Sequence, residues 1–314
     1  MTTHQPYAFS LNNTLISAVS RQSVTPQSTI SNDVHAGSPY AKSTTINAQS
    51  NQATMTTFDL VKALALLGSE GVKIDTGGAK LYQIELDPLT GLPETTAVHR
   101  YLSMARGKVV PVRMSCEHQR DAELEMLVHA VVNPATFVAS ELETYPIVVT
   151  EDTALPTGLE GDKRWTLAKT KVAGVTLDCS LNVSIDFGIN ITTEGCQSNI
   201  FDSTVVIAEI KPVIRIRGKN LKKFHEDAIP AKGKACTHAN TEIFLRQRLT
   251  DEAGFGLPTE PSHIKFTADG IAHWTTYHDA QNNNRLENEL QIDCRHDGTD
   301  VGLVVATSVV MEEA

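Results

Sequence analysis

Apolar side chains occupy every odd position from Val175 to Ile191, and polar residues or glycine fill the even positions between them. A period of two puts alternate side chains on opposite faces of an extended chain, whereas a helix would scatter them around its circumference. The pattern predicts one β-strand, about 56 Å long at ~3.3 Å per residue and far beyond the usual strand. Gly188 is where a bulge would bend it most easily. The odd positions form its buried face: Val175, Leu177, Cys179, Leu181, Val183, Ile185, Phe187, Ile189 and Ile191. Beyond the polar stretch TTEGCQSNIFDS, the runs VVIAEI and PVIRIRG supply a return strand, so residues 161–218 read as a long β-hairpin.

Shorter strand-like runs are LYQIEL at 81–86, VHRYLSM at 98–104, VVPVRMSC at 109–116 and ELEMLVHAVV at 123–132, with turn-forming DPLTGLP and EHQRDA between them. A helix is predicted just before them. Thr57 can cap it, Leu60, Leu64 and Leu67 share one stripe beside another of Phe58, Val61 and Ala65, and Gly68 ends it.

Residues 1–55 show no sustained period and are dominated by Ser, Thr, Asn and Gln. Such a segment cannot bury enough apolar surface to order itself alone. It is expected to be a disordered tail, or an extended arm that orders against a neighbouring subunit with Tyr7, Phe9, Leu11, Leu15 and Ile16 as anchors.

Several features recur at an offset of about 161 to 166. Helix-like residues surround Leu60 and Leu221, the strands LYQIEL and EIFLRQ follow them, and GLP stands at 91–93 and 256–258. His99 and His263 open strands, Gly107 and Gly270 interrupt them, and ELEM at 123 matches ELQI at 289. The expected fold is mainly β, with sandwich- or barrel-like modules, in which a unit of a short flanking helix and four or five strands occurs twice. The expected division is an arm over 1–55, a first module over 56–160, the long hairpin over 161–218 between the copies, and a second module over 219–314.

The formal net charge of −10 argues against a protein that grips nucleic-acid phosphates, and suits solubility or a lining along which DNA slides. Five cysteines, none two residues from another, argue against a disulfide framework or a zinc ribbon. The N-terminus lacks the order of a signal peptide, and no apolar run is long enough to span a membrane.

Metal-ligating residue types occur at Cys116, His118, His129, His263, His273, His278, His296 and Asp297, without paired-ligand spacing. No nucleophile elbow, dinucleotide fingerprint or phosphate-binding lysine loop occurs, so no metal, cofactor or catalytic residue is assigned and no enzyme is expected. Arg215, Arg217, Lys219, Lys222 and Lys223 form the single basic concentration, against the acidic residues 141–162. In a self-assembling ring the two would meet across subunits. Trp165, Trp274 and Tyr277 are the aromatic residues available to a carbohydrate- or host-binding module.

The order of helix, LYQIEL-type strand, VHR strand, VVP strand with its CEHQ turn, IDFGINITTEG and KPVIRIRG resembles virion proteins of tailed bacteriophages, over roughly residues 55–314. Among these it is most similar to tail-tube subunits. The resemblance implies a structural virion protein without cofactors, whose copies form stacked rings around a DNA conduit, with trimers of a duplicated subunit imitating sixfold symmetry. Its partners would be itself and other virion proteins, with no specific nucleic-acid recognition and no membrane. A capsid decoration or head–tail connector protein is the alternative within the same class.

Overall fold

The computed structural model describes residues 3–34, 40–133, 145–159, 163–177, 180–195, 200–219, 229–230, 232–249, 254–279, 287–296, 298 and 301–311. Among these the first strands are β1 (Thr3–Leu11), β2 (Thr14–Ile16), β3 (Val19–Val34) and β4 (Ala41–Thr57), followed by helix α1 (Leu60–Leu67). Next come β5 (Val72–Ile74), β6 (Ala79–Leu86), β7 (His99–Met104), β8 (Gly107–Glu117), β9 (Glu123–Ala130) and β10 (Val148–Thr153). The chain continues with β11 (Arg164–Val172), β12 (Val175–Leu177), β13 (Ser180–Asp186), β14 (Ile189–Gly195), β15 (Asp202–Ile210) and β16 (Val213–Lys219). It closes with β17 (Lys234–Cys236), β18 (Glu242–Arg248), β19 (His263–Ala268), β20 (Gly270–Asp279), β21 (Glu287–Cys294) and β22 (Leu303–Val309). The protein is mainly β, and its sheets stay open rather than closing into barrels.

One small sheet has the order β10-β7-β6-β1-β2 and a second the order β22-β19-β18-β11-β12. A ten-stranded sheet runs β3-β4-β9-β8-β13-β16-β21-β20-β17, with β5 beside β8. Apolar faces of all three share one core, which includes Phe9, Leu81, Met55, Met126, Ile185, Ile214, Ile292, Leu245 and Phe266. This is a sandwich-like arrangement in which alternation along each strand sends one side chain in two to the core. The opposite face of the large sheet is polar.

The long strand expected over residues 175–191 is three pieces. β12 belongs to the second small sheet, β13 to the large sheet, and β14 pairs only with β15. Gly188 makes the last break: its φ is +59°, and a Cβ there would stand 1.9 Å from the Lys211 carbonyl oxygen. The expected return strand is found, with β15 pairing β14 and β16 pairing β13. Val183, Ile185 and Phe187 are fully buried and Leu177 nearly so, but Val175, Leu181, Ile189 and Ile191 are only half-buried. Past Gly188 the hairpin leaves the core, with Ile189 the last of these side chains packed against it.

The N-terminal expectation needs a larger correction. Residues 3–34 and 40–57 are largely strand, and Phe9, Leu11 and Ile16 are completely buried in this chain's own core rather than held for a neighbour. Tyr7 is half-buried. β1 is an inner strand of a sheet, paired with β6 and, through the two-residue Asn12-Asn13 turn, with the edge strand β2. Helix α1 ends at Gly68 as expected, buries Leu60, Ala63, Leu64 and Leu67, and leaves Ala65 exposed. Thr57 Oγ1 accepts the Asp59 N–H at 3.0 Å and donates to the Ser17 carbonyl, so it fixes the helix entrance two residues before the cap, which is Asp59. The helix expected near Leu221 lies outside the described residues.

Candidate assembly surface

The outer part of the β3–β4 hairpin is a long exposed feature. β3 and β4 pair from Val19–Thr57 to Val34–Ala41, yet β4 meets β9 only from Thr57 back to Asn51. The remainder is a two-stranded ribbon of Ser, Thr, Asn and Gln stitched by contacts such as Thr44 Oγ1 to Asn32 Oδ1 at 2.9 Å. Ile30 and Ile46, directly paired, are 55% and 49% exposed, and Tyr40 at the far end is 77% exposed. Among the described residues both edges of this ribbon are unpaired beyond Gln49, and such a ribbon is marginal in water and offers its backbone groups to another chain.

A second ribbon, β14–β15, behaves differently because its far end is seated. The Gln49 N–H donates to the Ile200 carbonyl at 2.6 Å and the Val132 N–H to the Asp202 carbonyl at 2.9 Å. Phe201 is 5% exposed and meets the Tyr145 ring edge to face, with centroids 5.5 Å apart. The second ribbon therefore lies on strands of the first half of the chain.

The two halves of the large sheet join where β13 pairs with β8, from Asn182–Glu117 to Asp186–Arg113. Side chains reinforce this seam: Arg113 donates to Ser184 at 3.0 Å and Asn182 to Glu117 at 3.1 Å. The sheet ends are β3, which pairs only with β4, and the β17–β20 edge, where β17 covers just Gly270–Ala272 of β20. Among the described residues nothing pairs with the outer edge of β20 at 276–279.

Arg215 and Arg217 lie on the polar face of the large sheet, where Arg215 reaches Gln291 at 3.3 Å and Arg217 reaches Glu289 at 3.4 Å. They are exposed members of a mixed-charge surface within one sheet. The Lys219 side chain, Lys222 and Lys223 lie outside the described residues, as do Glu141, Glu143, Glu160 and Asp162 of the acidic segment, whereas its Glu151 and Asp152 lie on β10. Trp165 is 2% exposed, and Trp274 donates its indole N–H to the Ile229 carbonyl, so both serve the interior rather than a sugar-binding face. The Tyr277 side chain is outside the described residues.

Among the described residues, no three His, Cys, Asp or Glu side chains gather as metal ligands. Cys116 is fully buried while His118 is exposed, and burial pushes the Cys116 thiol up to about 12. His129 is 5% exposed, and burial lowers its pKa despite the opposing influence of Asp202 on the second ribbon. His99 and His263 are also buried: His99 Nδ1 accepts the Glu85 N–H at 3.1 Å, and His263 Nδ1 lies 3.2 Å from the Glu260 carbonyl. No helix of the described chain is long and apolar enough to cross a membrane.

Sequence reasoning missed the first ribbon because both its faces are wet, which removes the alternation that marks a half-buried strand. It also missed Phe201 as a seated side chain and Tyr40 as an exposed one. The chain matches no family model and no curated protein.

Proposed function

We propose that this chain is a structural subunit whose copies assemble into stacked rings around a DNA conduit, as in the tail tube of a tailed bacteriophage. The observation that carries the reading is the β3–β4 ribbon, which projects beyond the core with Ile30, Ile46 and Tyr40 exposed and whose edges, among the described residues, stay unpaired beyond Gln49 and so are open to another chain. A protein acting alone gains nothing from such a ribbon and incurs an aggregation hazard.

The polar face of the large sheet supports the conduit reading. Arg113, Arg215 and Arg217 alternate there with Glu125, Glu289 and Asp293, and several of these hydrogen-bond to one another or to neutral partners. Glu117 and Glu123 share that face with Arg21, so cations do not predominate and such a lining does not bind phosphates strongly.

Replacing residues 30–47 by Asn-Gly keeps the Thr29–Ala48 pair and closes the hairpin with a two-residue turn. The shortened chain should remain a folded monomer and form no rings under conditions where the intact chain does. Ring formation by the shortened chain would contradict the proposal. Labelling of intact particles would then separate a tail location from a capsid or neck location.

A further inference from the structure

The chain's two halves, residues 3–153 and 164–309, follow one plan. The two small sheets have the same order once β10, β7, β6, β1 and β2 are replaced by β22, β19, β18, β11 and β12. The large sheet divides likewise into β3-β4-β9-β8 with β5, and β13-β16-β21-β20 with β17. The register agrees residue by residue. The rung Val24–Ala53–Val128–Val109–Val72 corresponds to Ile185–Ile214–Ile292–Ala272–Lys234.

Irregularities coincide as well, and these are harder to produce by shared β-sheet habit. β8 bulges between Pro111 and Arg113 opposite Met126 and Glu125, and β20 bulges between Trp274 and Thr276 opposite Leu290 and Glu289. A Cβ on Gly107 would stand 1.8 Å from the His129 carbonyl oxygen, and one on Gly270 would stand 2.1 Å from that of Asp293, the corresponding residue. The ribbons match too. β4 skips Asn47 and then Lys42 in its pairing with β3, while β15 skips Ala208 and then Ser203 in its pairing with β14, a constant offset of 161. The long hairpin is therefore the second half's version of β3–β4 rather than an insertion between the halves.

At that offset Tyr40 corresponds to Phe201. Phe201 is seated in the first half, beside Tyr145, Val132 and Gln49. The residues that correspond to this seat in the second half, Val301, His296 and Ile210, line an open cavity of about 330 Å³, together with Cys294, Gly302 and Leu303. We propose that this cavity receives Tyr40 of a second copy of the chain, whose β3–β4 ribbon lies on the second half as β14–β15 lies on the first half within one chain. The inference rests on the self-assembly reading and names its contact.

The same head-to-tail relation brings residues 21–25 of β3 to residues 276–279 of β20, as β13 is brought to β8. Pro26 stands where Phe187 donates its N–H to the Val112 carbonyl, so the intermolecular pairing ends one residue earlier. A heterologous contact of this kind generates a closed ring when its rotation closes.

The test mixes two full-length single variants, Tyr40→Cys and Val301→Cys, under assembly conditions with a short thiol-specific cross-linker. Both variants are made on a chain whose five native cysteines are serine or alanine and which assembles like wild type, because the native Cys294 itself lines the proposed seat. The mixture should give covalent dimers that neither variant gives alone, and Tyr40→Ala should raise the concentration for half-assembly roughly tenfold or more. Wild-type rings without cross-linked dimers, or Tyr40→Ala assembling like wild type, would overturn the seat and leave the ring reading standing. A wild-type chain that stays monomeric at every concentration overturns both.

Discussion

Phe201 and Tyr145 meet edge to face, with ring planes at 79°, and hold the end of the second ribbon against the first half of the chain. Aromatic pairs in this geometry add to the stabilisation from burial. Phe201→Ala should destabilise the monomer by about 3 kcal/mol in chemical denaturation, as large-to-small changes at buried aromatics do. Tyr40→Ala, at the exposed counterpart, should change monomer stability by less than ~0.5 kcal/mol. Equal losses from the two would mean that Tyr40 is already seated in the isolated chain.

Gly107 and Gly270 hold left-handed backbone with φ of +141° and +157°, and each lies against a carbonyl of the neighbouring strand. Gly107→Ala and Gly270→Ala should each destabilise the fold by roughly 2 kcal/mol or more, because both the strain and the clash act in the native state. Similar losses in thermal unfolding are expected from two positions with similar surroundings. A neutral effect at either would contradict the geometry.

Ile185 is fully buried between β8 and β16, whereas Ile191 is half-buried beyond the Gly188 break. Ile185→Asp should cost about 4 kcal/mol or more through an unpaired buried charge and abolish soluble folded protein. Ile191→Asp should leave a folded monomer, observable by circular dichroism. If the two variants behaved alike, the strand would not change environment at Gly188.

Burial lowers the pKa of His129 from the ordinary 6.5, against the opposing influence of Asp202. The unfolded chain therefore binds the proton more readily, and stability rises with pH in this region. The contribution is intact above 6.5 and is lost progressively as pH falls below it. His129→Gln should flatten that slope in denaturant titrations between acidic and neutral pH; an unchanged slope would assign the pH dependence elsewhere.

Much of the fold was legible from alternation, because strands such as β8, β9 and β13 bury one face and wet the other. Gly107 and Gly270, and His99 and His263, stood out as pairs in the sequence, and the members of each pair have similar surroundings: both glycines lie against a carbonyl and both histidines are buried. Residues 1–55 were misread for a physical reason. Phe9, Leu11 and Ile16 are too few to mark strands, while the ribbon beyond Gln49 is wet on both faces and its stability comes from pairing. The break at Gly188 was only partly visible, because alternation continues through it while the partner sheet changes. The bulges opposite Met126 and Leu290 demand no particular residue, so neither sequence nor composition could reveal them.

The central claim is that copies join head to tail through equivalent halves. Native mass spectrometry combined with electron microscopy of the assembled wild-type protein tests it directly. The account predicts closed particles of three chains that show six similar lobes in projection. A monomer at all concentrations, or a ring whose lobes do not number twice its chains, would contradict it.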